Sequence, residues 1–461
     1  MFNRAKTYVL AILIIISICQ MFELWFDDYS SRNFFYSVIT NAFTKNNAEI
    51  NYKYQMEPTK IIVSFGNKQY TVLKNSEDIK KNFDNELKKI FSAIVANGTY
   101  VNEENINMRE FLNNKAVLYE YPVKLSSISS INRDYDEGNK NVRQIGEFNK
   151  IILQPSNLGD GSLNCIFIDE QSNLMKKIKI SNNSRNISDW ISSVQNEALL
   201  KIYNTTEYDA SKKYFSHLNF LPAFNKSETY FNQNIIMKNP FIVNNEIDEN
   251  KVEEYINYFF ENPSAKWNFK KQNGVTVYAD GEKSIKFYDA GVLEYTNSKT
   301  FNKNTYINFE GSYQIARAFI EKDNKYMAPN LYLVNAEKNA DNEWEFNFEF
   351  KLDDYRYIMS NEVANEIGIK YPIEVVVKNN NVYSYKRLIR ELQFVPSFEK
   401  IQLITYNEAL DEILNTRKAN ETILIKDMFL SYYSDNIEEN PKLTWIIETS
   451  NKVYTIYAIK S

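Results

Sequence analysis

Few side chains in this sequence have the types and spacing that chemistry needs. The single histidine, His217, could act as a general base because imidazole titrates near neutrality, but it sits in Phe215-Ser216-His217-Leu218-Asn219-Phe220, where a packed or surface role is the ordinary one. Ser162, in Gly159-Asp160-Gly161-Ser162, has the look of a nucleophile turn yet lacks its closing glycine, which makes it a loop serine. The acid pairs Glu253-Glu254 and Asp353-Asp354 have the composition for acid and base work at sugars, although adjacent carboxylates are usually solvated. Asp280 and Asp289 are calcium candidates without calcium-loop spacing, so an Asp-Gly turn explains the first more simply. No catalytic residue is assigned.

Scarcity narrows the field further. With Cys19, Cys165 and one histidine there is no ligand set for structural zinc, and neither a metal nor a cofactor is expected. The 11 glycines form no phosphate-cradling turn, which excludes the commonest nucleotide enzymes. Against 54 basic residues stand 59 acidic ones, and the resulting net charge of −5 argues against nucleic acid as a partner. An aromatic content of 15% fits half-buried sheets, where flat side chains pair across strands.

The elements that would position any site begin with one long apolar run. Arg4 and Lys6 precede Thr7 to Phe26, and Asp27-Asp28 follow. About 20 residues at about 1.5 Å each cover the ~30 Å of a bilayer's hydrocarbon. Some ten Leu, Ile, Val and Phe contribute about −3 to −6 kcal/mol to insertion. The basic tail stays in the cytoplasm, Trp25 suits the outer interface, and the rest is extracytoplasmic on a bacterial cell membrane. A cleavable signal or a lipoprotein signal would need small residues where Ser17-Ile18-Cys19 places Ile18. Within the span, Ser17, Gln20 and Leu24 recur at helical spacing with Glu23 beside them, a partner-facing polar stripe in competition with a simply frayed outer end.

Beyond the membrane the expected fold is α+β, antiparallel sheets with packed helices. The expected divisions are a cytoplasmic tail 1–6, a transmembrane helix 7–26, a juxtamembrane stalk 27–55, an N-terminal α+β domain 56–205, a central β-rich domain 206–310 and a C-terminal α+β domain 311–461. Two strands flank the Gly66-Asn67 turn, and a helix from Ser76 buries Ile79, Phe83, Leu87, Ile90 and Ile94 before Asn97-Gly98 ends it. Strands are read at Val117–Val123, Lys150–Leu153 and Cys165–Asp169, and a helix at 187–202 with Trp190, Ile191, Val194, Leu199 and Ile202 inward. A helix over 252–260 stops at Asn262-Pro263, and a meander turns at Asp280-Gly281. Ile373–Val377 and Val382–Arg387 read as a hairpin about Asn379-Asn380-Asn381, and a weak internal repeat pairs Ser312–Leu352 with Asn407–Ile459, the second copy including a strand at Leu443–Ile447.

Several stretches together resemble one known family: Ile16-Ser-Ile-Cys-Gln-Met-Phe-Glu-Leu-Trp25-Phe, Tyr121-Pro122-Val123, Tyr278-Ala-Asp-Gly281 leading to Leu293-Glu-Tyr295-Thr-Asn297, and the tail Leu430-Ser-Tyr432-Tyr433 followed by Pro441-Lys-Leu-Thr-Trp445. They are similar to the YycH family of two-component regulatory proteins, whose C-terminal module is shared with YycI. Ser431 departs from the family's Leu-Gly-Tyr-Tyr, and the match weakens from Asp134 to Leu221. The resemblance implies a non-enzymatic, single-pass regulator that works with a YycI-like membrane protein beside a sensor histidine kinase of the YycG/WalK type. Through transmembrane and extracytoplasmic contacts it would tune signalling for cell-wall homeostasis. The alternative is a membrane-tethered, extracytoplasmic wall-active enzyme or peptide-binding module.

Overall fold

The computed structural model describes residues 56–461, apart from 74–76, 106–107, 128–139, 157–159, 182–183, 197–201, 208–209, 225–229, 272–273, 300–307, 324, 327–329, 353–354, 417–422 and 461. Residues 54–461 form one compact unit. The expected membrane span and its stripe Ser17, Gln20, Glu23 and Leu24 lie outside the described residues, as do Leu199 and Asp353-Asp354. Among the described residues no helix is long and apolar enough to cross a membrane.

The fold is α+β. The first sheet is built from β1 (Lys60–Gly66), β2 (Gln69–Val72), β3 (Thr99–Asn105), β4 (Lys115–Ser126), β5 (Glu147–Pro155), β6 (Leu163–Asp169), β7 (Leu174–Ile180), β8 (Tyr203–Thr205) and β9 (Phe220–Pro222). Their order is β3-β7-β6-β5-β4-β1-β2-β8-β9, antiparallel throughout. Helices α1 (Glu77–Asn97), α2 (Met108–Leu112), α3 (Lys140–Ile145) and α4 (Ser184–Gln195) cover it. Strand periodicity separates its two faces. Val63, Val117, Ile151, Leu153, Cys165 and Ile178 lie under Ile90 and Ile94 of α1 and Ile191 of α4, whereas Ile62, Leu118, Ile152 and Ile166 form a cross-strand row that packs with Phe111 and Leu112 of α2. Full burial of each such aliphatic side chain contributes about 1.5–3 kcal/mol.

The helix expected over 187–202 is shorter at its far end. It finishes at Gln195, the Asn196 N–H turns back to the Ser193 carbonyl, and Ile202 is 40% exposed just before β8, so it is not part of the core. Strands β3 and β7 escaped the sequence reading because Asn, Glu and Lys fill most of the positions between their apolar residues.

Further along come β10 (Tyr230–Lys238), the small hairpin β11 (Ile242–Val243) and β12 (Glu246–Ile247), and α5 (Glu249–Asn257), whose first turn is capped by the Asp248 carboxylate. The second sheet contains β13 (Trp267–Lys271), β14 (Val275–Ala279), β15 (Lys283–Tyr288), β16 (Val292–Asn297), β17 (Asn330–Lys338), β18 (Trp344–Leu352), β19 (Tyr355–Met359), β20 (Ile373–Lys378), β21 (Asn381–Leu388), β23 (Ile425–Ser434), β24 (Lys442–Thr449) and β25 (Val453–Tyr457). Their order is β13-β14-β15-β16-β21-β20-β18-β19-β23-β24-β25, with β17 on β18, and β19 with β23 makes the parallel pair. Strand β22 (Glu391–Ile401) leaves this sheet to pair with β10. Three more helices, α6 (Phe309–Lys322), α7 (Asn361–Ile367) and α8 (Tyr406–Thr416), complete the chain.

In both parts of the suspected repeat a helix leads into a bulged antiparallel hairpin, α6-β17-β18 and α8-β23-β24, whereas the further pairings differ: β18 also pairs β19 and β20, and β24 pairs β25. Turn chemistry accounts for the shortage of glycine. Among the described residues seven asparagines take positive φ, including Asn379 at 46° and Asn380 at 65° in the β20–β21 turn. Asparagine tolerates that region because its short amide bonds locally to the backbone.

Candidate functional site

The residues singled out for chemistry do not converge. His217 is exposed, and its carbonyl accepts from the Asn219 amide. The Ser162 hydroxyl donates at 2.6 Å to Asp160, whose carboxyl the ammonium of Lys179 at 2.7 Å and then Ser162 hold well below the usual range. A serine whose proton rests on so weak a base is not activated. Glu253 pairs with Lys266 and Glu254 with Lys325, on diverging partners. Asp280 accepts from the backbone N–H of Glu282 and Lys283 and closes its turn. Asp289 stands at the other end of β15, about 20 Å of extended chain away, so the two cannot share a calcium ion. Burial pushes the Cys165 thiol up, which leaves it inert. Among the described residues no three His, Cys, Asp or Glu gather to hold a metal.

What the interior does contain is two charged clusters that join elements. In the first, Arg387 of β21, fully buried, meets Asp323 at the end of α6 at 2.5 Å. The Asp323 carboxylate also accepts from the hydroxyls of Tyr255 (2.7 Å) and Tyr385 (2.8 Å). Arg387 donates further to the carbonyls of Asp323, Lys325 and Tyr326 and leaves only its Nε–H without a partner. Tyr326 sits at φ 58°, a conformation costly for a bulky residue, and the guanidinium holds its carbonyl there. The cluster ties α5, the end of α6 and the loop beyond it to the second sheet.

The second cluster lies where the sheets meet. Lys60, Glu120 and Lys150 stand in register across β1, β4 and β5. Lys150 bonds Glu120 at 2.9 Å and Glu170 at 2.7 Å, and Lys60 reaches Asp427 of β23 at 3.8 Å. Across the seam Arg356 grips Glu349 with two bonds, at 2.6 and 3.1 Å, and lies over the rings of Tyr332 and Phe429. Apolar contact joins the sheets too: Met56, Val123 and Phe309 touch the cores of both, and Leu221 of β9 shares a core with Ile425 and Met428 of β23.

Two glutamates of the seam titrate in opposite senses. Burial works against the Glu120 carboxylate, but Lys150 and then Lys60 outweigh it, so its pKa lies below the ordinary 4.5. Its contribution is complete above 4.5 and disappears as pH falls through the folded value. Burial raises Glu448 above 4.5, with Asp427 and Glu349 reinforcing that against Arg356. Its contribution is therefore complete below 4.5 and lost as pH rises through its folded value. Glu120→Gln should lower stability at neutral pH by about 1–2 kcal/mol and flatten the acid limb, while Glu448→Gln should raise it. Urea midpoints from pH 3 to 8 check both, and a common sign for the two variants would contradict this assignment.

The outer face of the second sheet carries a row in register across its strands: Phe269, Val277, Lys286, Glu294, Lys386 and Glu374. Lys286 bonds Glu294 at 2.9 Å, and Lys386 lies between Glu294 and Glu374 at about 4 Å from each. The row ends at the edge strand β13, where Trp267 and Phe269 stack with ring centroids 5.7 Å apart and both remain largely exposed. The exposed Lys270 on that strand discourages edge-to-edge pairing.

Neither cluster nor the open face was nominated from the sequence. The one local signal is arginine two residues after tyrosine in a strand, Tyr385-Lys386-Arg387, a spacing that puts both on one face.

No family model matches the chain, and no curated protein matches it in sequence. Among solved structures, an uncharacterized protein from Eubacterium rectale aligns with 50% of this chain and 82% of its own, at 11% identity and a TM-score of 0.34. YycH from Bacillus subtilis aligns over 87% of this chain and 95% of its own, at 12% identity and a TM-score of 0.53. The likeness read from scattered sequence signatures is thus met in three dimensions, and the described body has the fold of YycH.

Proposed function

We propose that this protein is a membrane-anchored accessory regulator of a YycG/WalK-like sensor histidine kinase, working with a YycI-like partner to tune cell-wall homeostasis. The observation that carries the reading is the fold shared with YycH across nearly the whole of that chain. The charged interior agrees with it: Arg387, Asp323, Lys150 and Glu120 are spent on joining helices and sheets. Residues 7–26 form the anchor, the basic tail lies in the cytoplasm, and the body from residue 27 onward lies outside.

A single helix biases a kinase only by packing differently against its two signalling states. The stripe Ser17, Gln20, Glu23 and Leu24 is assigned that contact, since polar groups in lipid gain by facing another helix. Deletion of the gene should change transcripts of the wall hydrolases under kinase control, and unchanged transcripts would sink the regulatory reading. Gln20→Leu with Glu23→Leu should weaken co-purification with the kinase roughly five- to thirty-fold, at about 0.5–1 kcal/mol for each group. Undiminished recovery would remove the stripe from the contact.

A further inference from the structure

Two arginines three positions apart at the end of β21 meet opposite fates. Arg387 is neutralised by Asp323, as described above. Arg390, 2% exposed, is not: among the described residues no carboxylate forms an ion pair with it. Its Nη1 donates to the carbonyls of Ala290 and Ile389, each at 2.9 Å, and among the described residues neither Nε nor Nη2 has an acceptor, while both keep some contact with solvent.

The backbone is shaped round this cation. At Gly291, with φ 74°, a Cβ would come within 2.6 Å of Arg390 Nη1 and 3.0 Å of the Asn239 amide, so only glycine allows the β15–β16 turn so close. The surrounding elements are that turn, the start of β22, Tyr357 of β19, and the loop between β23 and β24. That loop brings Glu438, whose carboxylate is exposed and acts only at a distance. Burial weakens the hold of Arg390 on its proton, and Tyr357 and Glu438 offset this only in part.

A largely buried cation with three of its five N–H donors unused by protein is costly to keep, because its desolvation is returned only in part until an anion arrives. A guanidinium presents parallel N–H donors that match the two oxygens of a carboxylate. We propose that Arg390 is the receptor of a binding site for one carboxylate group, entering between the β15–β16 turn and the loop 435–440, with Nε and Nη2 as its donors.

Thermal unfolding of the full chain in detergent micelles, at ionic strength held constant with sodium chloride, tests this. Acetate should raise the unfolding midpoint saturably, by about 1–2 °C at tenfold excess over its dissociation constant. Acetamide, of the same shape but uncharged, should not, and in Arg390→Met the acetate response should vanish. Equal responses to acetate and acetamide, or an acetate response that survives in Arg390→Met, would overturn the site. The first comparison needs only the unaltered protein, so it decides even if the variant fails to fold. N-acetylaspartate amide identifies the source. A shift matching that of acetate means that an acidic side chain of a partner can deliver the group, and a shift with acetate alone means that the ligand is a free small anion.

Discussion

Arg387→Met is expected to unfold at a much lower urea concentration than the unaltered chain, with a loss of about 3–5 kcal/mol and an unchanged dependence on denaturant. The reason lies in what is left behind. Asp323 is 2% exposed, and without the guanidinium it must remain charged in a dry site or take up a proton. At the same time the carbonyls of Lys325 and Tyr326 lose their donor, and with it goes the restraint on the left-handed Tyr326 backbone. The tyrosine hydroxyls are lesser members: Tyr255→Phe or Tyr385→Phe removes one bond to a charged group and should cost roughly 1.5–3 kcal/mol. Against a total stability of about 5–15 kcal/mol, such a loss removes a large share of the margin. Asp323→Asn combined with Arg387→Met should recover part of the loss, because no isolated charge is then buried. An Arg387→Met midpoint indistinguishable from the parent would show that the cluster is not what holds α5 and α6 to the sheet.

Trp445→Ala is expected to cost a further ~3–5 kcal/mol, on packing grounds. Trp445 is fully buried in the C-terminal core and stands edge-on to Phe224 at 6.2 Å. Its indole Nε1 donates at 2.9 Å to the Ile404 carbonyl, which anchors the chain just before α8 to β24. Trp445→Phe keeps most of the apolar volume but leaves that carbonyl unpaired, so it should fall between the two, at about 1–3 kcal/mol. Urea unfolding followed by far-ultraviolet circular dichroism ranks the three proteins. Equal midpoints for the alanine and phenylalanine variants would mean that the hydrogen bond, and not the packing, carries the residue's contribution.

These two residues also mark the limit of what could be read locally. Trp445 was visible as part of a strand, Leu443-Thr-Trp445-Ile-Ile447, because alternation along a strand is a property of neighbours. Its acceptor, 41 residues earlier, was not. Arg387 likewise falls in a hairpin strand by its local pattern, while its partner Asp323 follows α6, four strands and a helix before β21. Lys60, Glu120 and Lys150 become a ladder only once β1, β4 and β5 are placed side by side in one register, and a slip of one residue would turn each to the opposite face. The over-long helix at 187–202 shows the converse. Apolar spacing continued past Gln195, but the chain turned at Asn196 so that Tyr203 could join β2 in the first sheet.

The amino-acid sequence by itself determined the turns at Asn67, Gly281 and Asn379-Asn380, the helix from residue 77 to Asn97, the antiparallel α+β character and the apolar segment ahead of the body. Each depends on backbone preference or periodicity within a few residues. Tertiary structure alone decided which charges were neutralised: Arg387 by Asp323, Lys150 by Glu120 and Glu170, and Arg390 by no acid among the described residues. Coulomb energy and desolvation depend on distance and burial, and both are set by the order and register of strands far apart in the chain.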